Sequence, residues 1–199
     1  MLGREHGGEY AALSAEQIAA LTIEGRGGQP REAGNPDVVL GASPREGSWV
    51  PSKTGQPIHI GMDLPAPAAG ARMPRPTMRV FTGAAADTDV VVFATADGAA
   101  WLTVVHGPDA PAPFRYVITL PEGLALEPMP SGGLDFMHPR YGATVGRLYR
   151  PWACDAMFRP LPAEYLAQEP AVLTVNVDSA SASYPFVVGV VYGSAPRPA

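Results

Sequence analysis

The chain has 199 residues, 46% of them hydrophobic, which suits one packed domain with tails and excludes global disorder. It carries 14 Lys+Arg against 19 Asp+Glu, a formal charge of −5 and a pI of about 5.3. No basic cluster occurs, which excludes nucleic-acid binding by phosphate neutralisation.

The N-terminus does not read as a secretion signal, because Arg4, Glu5, His6 and Glu9 occupy the place of its apolar run. Ser14 then opens a helix predicted over 14–24. Gln17 can return a bond to the Ser14 amide, Ile18 and Leu21 share one face, and Gly25 stops it. At about three turns such a helix is marginal alone, so its apolar stripe must dock on its own domain or on a partner subunit. Ile18 and Leu21 are therefore candidate binding residues. Residues 25–55 are rich in Gly and Pro and read as an extended arm with one short strand at "DVVLG". Residues 1–55 together are expected to form an arm that joins other protein chains into a homo- or hetero-oligomer. Trp49 lies in that arm and is a candidate anchor for a partner's pocket.

From residue 56 the pattern changes. "PIHIGMDLP" and "TMRVFTG" alternate as strands. "TDVVVFATADG" and "AAWLTVVHGPD" form a predicted hairpin around Asp97-Gly98. "FRYVITLPEG" is a period-two strand, "LALEPMPSGGLDFM" two short strands about a turn, and "ATVGRLYRPWA" another strand. "PLPAEYLAQEP" is expected to hold one helical turn. "AVLTVNVD" and "SYPFVVGVVYG" are predicted to form the last hairpin. About ten short strands at this spacing predict a mainly β protein, an antiparallel β-sandwich-like domain over 56–193 with a tail at 194–199. No window holds the roughly 18 consecutive apolar residues of a membrane-spanning helix. The expected core is Trp101, Trp152, Tyr116, Val91, Phe93, Val104, Ile118, Leu120, Leu148, Leu173, Val175, Phe186 and Val188.

Few residues point to chemistry. Cys154, the single cysteine, excludes an internal disulfide, and its neighbour Asp155 would raise a thiol pKa rather than lower it. No metal-ligand spacing links His6, His59, His106 and His138, so no metal or cofactor site is expected. Asp87, Asp89 and Asp97 are too sparse for calcium and read as turn acids. His138-Pro-Arg140 follows a strand and is a candidate for binding a carboxylate or phosphate. No hydrolase, P-loop or dinucleotide motif is present, and no catalytic residue is assigned.

One further pattern lies toward the C-terminus. Pro151-Trp152-Ala153-Cys154-Asp155-Ala156 is followed by Pro162-Ala163-Glu164-Tyr165, then Leu173 to Val177, then Tyr184-Pro185-Phe186-Val187-Val188. With "DAPAPFRYVITLPEGLALE" upstream, residues from about 56 to 192 resemble a family of uncharacterised β-rich domains in secreted and surface proteins of high-GC Gram-positive bacteria. That resemblance implies an extracellular or cell-surface setting and a non-enzymatic structural or adhesive module acting through protein–protein contacts. The long arm points to an alternative, a phage virion or other assembly protein. A carbohydrate- or ligand-binding domain or a hydrolase is the second alternative.

Overall fold

The computed structural model describes residues 34–64, 71–169 and 172–194. In chain order its strands are β1 (Val39–Leu40), β2 (Ser48–Val50), β3 (Ile58–Met62), β4 (Arg72–Arg75), β5 (Met78–Ala85), β6 (Thr88–Ala94), β7 (Gly98–Val105) and β8 (Phe114–Thr119). There follow β9 (Ala125–Pro128), β10 (Leu134–His138), β11 (Ala143–Leu148), β12 (Trp152–Cys154), β13 (Pro160–Leu161), β14 (Ala163–Glu169), β15 (Val172–Val177) and β16 (Phe186–Gly193). All pairings are antiparallel.

Two sheets result. The smaller has six strands in the order β1-β2-β3-β8-β15-β14. The larger runs β4-β5-β6-β7-β16-β11-β10-β9, with β12 also on β16 and β13 on β12. The two pack face to face as a sandwich, because alternate residues of each supply one shared core. Ile58, Ile60, Met62, Tyr116, Ile118 and Leu173 enter it from the smaller sheet. Phe81, Val90, Trp101, Val188, Val190 and Tyr192 enter it from the larger. Full burial of each such side chain stabilises by about 1.5–3 kcal/mol.

The predicted hairpin around Asp97-Gly98 is β6–β7, with Ala94 paired to Ala99. The "PSGG" hairpin is β9–β10. Other expectations are corrected. "AVLTVNVD" and "SYPFVVGVVYG" do not pair with each other: β15 lies in the smaller sheet and β16 in the larger. "PLPAEYLAQEP" holds no helical turn; it forms β13 and β14, where pairing with β15 and the inward Tyr165 override a helix-favouring composition. Within 34–55, read as an arm with one short strand at "DVVLG", that strand is β1, and a second, β2, lies between it and β3, so both extend the smaller sheet. The predicted helix over 14–24 lies outside the described residues.

Core membership also changes. Val91, Phe93 and Val104 are buried as expected, but on the opposite face of the larger sheet from Val90, Val92 and Val105. Trp152 does not plug the space between the sheets. It is half-buried on that opposite face, packed against the cluster that includes Val80, Val91, Leu102 and Val187. Gly189, its register partner, leaves room for the indole, since a Cβ there would collide with the ring.

Candidate interaction surface

Strand β2 pairs Trp49 with Val39 of β1 on one side and His59 of β3 on the other. The flanking Ser48 and Val50 are buried, so alternation turns Trp49 outward from the smaller sheet. Trp49 is 45% exposed and Val39 59%. The Trp49 and His59 rings pack at 4.8 Å between centroids, tilted by 52°. His59 is fixed in turn, its Nε2 donating to the Glu46 carbonyl at 2.6 Å. The loop before β2 folds back beside this row, with the Met62 N–H donating to the Pro44 carbonyl at 2.8 Å. Gly61 permits that approach, because a Cβ there would lie 2.8 Å from the Arg45 carbonyl oxygen. Val117, in register with Gly61, continues the apolar surface and is 37% exposed.

A second presentation occurs after β12. The Asp155 carboxylate is buried and collects donors from the whole turn. Its Oδ1 accepts from the Met157 and Arg159 N–H groups at 2.9 Å each. Its Oδ2 accepts from Ser183 N–H at 3.2 Å and from the Arg159 guanidinium at 2.9 and 2.6 Å. Burial pushes the carboxyl's pKa up, but the Arg159 side chain and the backbone donors outweigh it and hold the group below its ordinary range. The clamped turn carries Phe158 at φ 57°, rare for a bulky residue, and leaves Met157 and Phe158 about half exposed. Composition gives no sign of this pair; only the backbone turn exposes it.

His138 and Arg140 meet at one ring. At the β10–β11 turn the His138 ring lies 4.5 Å from that of Tyr141, and the Arg140 guanidinium sits over the same ring at 5.6 Å. Tyr141 is 69% exposed. The pair thus brackets an exposed tyrosine. Ile18 and Leu21 lie outside the described residues. Cys154 is buried. The acids serve separate turns: Asp89 accepts from Gly83 N–H at 2.7 Å and pairs with His106 at 3.0 Å, while Asp87 accepts from Asp109 N–H at 3.3 Å. Among the described residues no three His, Cys, Asp or Glu side chains are grouped to hold a metal ion. A cavity of about 70 Å³ lies at one end of the sandwich, lined by Pro108, Pro111, Pro113, Phe114 and Tyr184 among others.

No helix among the described residues is long and apolar enough to cross a membrane. Compared with family models, curated proteins and solved structures, the chain gives no significant match to any.

Proposed function

We propose that the protein is a non-enzymatic structural or adhesive β-module that works through contacts with other protein chains. The observation that carries this reading is the row Val39–Trp49–His59. A tryptophan half open to solvent, braced by a ring and rooted in paired strands, has the features of an interface anchor: large apolar area and little side-chain freedom left to lose on binding. We further propose an envelope or extracellular setting, on the reading of the Pro151–Ala156 and Tyr184–Val188 patterns as those of secreted and surface domains.

Light scattering on the full chain tests the reading. Self-association at micromolar concentration, weakened at least tenfold by Trp49→Ala with the fold intact, is the expected result. A monomer at all accessible concentrations would favour a ligand-binding module instead.

A further inference from the structure

Three rows of side chains cross the outer face of the larger sheet. The middle row runs through paired positions Trp152, Gly189, Leu102, Val91 and Val80 of β12, β16, β7, β6 and β5. One flanking row holds Val187 and Val104 and ends at Asp89. The other holds Val191, Ala100, Phe93 and Met78. Val80, Val91 and Val104 are 0% exposed and Leu102 1%. Yet every described hydrophobic residue of this cluster belongs to the same sheet. A sheet cannot cover its own face. Polar groups bound the apolar area: the Asp135–Arg147 pair on β10 and β11, at 2.6 and 3.0 Å, and the Asp89–His106 pair at the end of a flanking row.

We propose that this face is the docking site of the chain's own N-terminal segment Ser14–Glu24, with Ile18 and Leu21 laid across the middle row. Sequence outside the described residues leaves one candidate. Residues 65–70 read "PAPAAG", 170–171 "PA" and 195–199 "APRPA", none with a large apolar side chain. Residues 1–33 carry Leu13, Ile18, Leu21 and Ile23. The dimensions agree. A helix over 14–24 is about 16 Å long. The strands β5, β6, β7 and β16, at ~4.8 Å spacing, span about 14 Å from first to last. The point of departure agrees as well. The Asn35 N–H donates to the Thr95 carbonyl at 2.8 Å, and a Cβ on Gly34 would press on Ala94 and Thr77. The described chain thus begins at the end of β5 and β6, one residue beyond Met78 and Phe93. From there, residues 25–33 reach at most ~30 Å, enough to return the segment over the face. Attachment at the margin of the face favours docking within one chain over docking on a second copy.

A photo-reactive p-benzoylphenylalanine in place of Leu21, in the full chain at low micromolar concentration, tests this. The expected product has monomer mass, with the cross-link in the peptides bearing Val91 to Val104. A dimer-mass product would assign the face to a second copy. A cross-link elsewhere, or none, would leave it to a different partner. Either result overturns the proposal. The double variant Ile18→Asp, Leu21→Asp gives an independent reading: binding of an apolar dye should rise several-fold while the near-UV signal of the buried Trp101 persists. Unchanged dye binding would also overturn it, and the cross-link decides alone if the variant does not fold.

Discussion

Asp155 separates what a buried acid does for a fold from what it does for chemistry. Its oxygens are fully used by Met157, Arg159 and Ser183, so removing them strands three backbone N–H groups and a guanidinium. Asp155→Ala should cost about 3 kcal/mol. Arg159, with a side chain 57% exposed, keeps water as an alternative partner, and Arg159→Ala should cost about 1 kcal/mol. Because the folded carboxyl titrates below its unfolded value, its contribution is complete above the ordinary Asp pKa of ~3.9 and is lost as pH falls through the folded one. Urea midpoints measured between about pH 6 and pH 2 should show this acid-range loss in the wild type and a smaller one in Asp155→Asn. Equal slopes would remove Asp155 from the account. Two other buried polar residues predict opposite signs. The Thr103 and Tyr116 hydroxyls approach each other across the sandwich, but neither forms a hydrogen bond of good geometry. Thr103→Val should therefore stabilise by about 1 kcal/mol. Tyr192 Oη donates to the Pro51 carbonyl at 2.8 Å, and Tyr192→Phe should destabilise by about 1 kcal/mol. Chemical denaturation of the two variants side by side checks both signs.

At the scale of elements, legibility in the sequence followed how much of each strand's environment is local. The β6–β7 and β9–β10 hairpins were readable because their turn residues sit between their own strands. Strand β2 was not, because three residues cannot display a period, and Trp49 was readable as a candidate anchor but not as a member of a sheet. Strand β14 was hidden by Ala, Glu, Leu and Gln, whose helix preference yields to pairing with β15 and to Tyr165 Oη donating to the Tyr149 carbonyl at 2.8 Å. Which face Val91 or Val104 occupies was unreadable, because "VVVFA" and "AAWLTVV" are apolar at every other position on both sides. Strand β12 shows the same limit: Trp152 looks like a core plug until Gly189 is seen opposite it. Gly189→Ala should push the indole from its seat, costing about 1–3 kcal/mol and shifting Trp152 emission to the red. An unshifted spectrum at wild-type stability would show that the ring gives way freely.

The whole molecule is asymmetric about its sandwich. Its smaller sheet buries one face and presents Trp49, Val39 and Val117 on the other. The larger sheet buries apolar side chains on both faces, Trp101 toward the shared core and Leu102 away from it. The two residues are adjacent in β7 and each is 1% exposed. If the outer face is covered in solution as the inner one is, truncating either should leave a cavity rather than a surface change. Trp101→Ala should cost about 3–5 kcal/mol and Leu102→Ala about 2–5 kcal/mol in equilibrium unfolding. A Leu on a bare sheet face would cost well under that, within ~0.5 kcal/mol of neutral. The size of the Leu102→Ala effect therefore distinguishes a two-layer protein with an open apolar face from one whose larger sheet is covered on both sides.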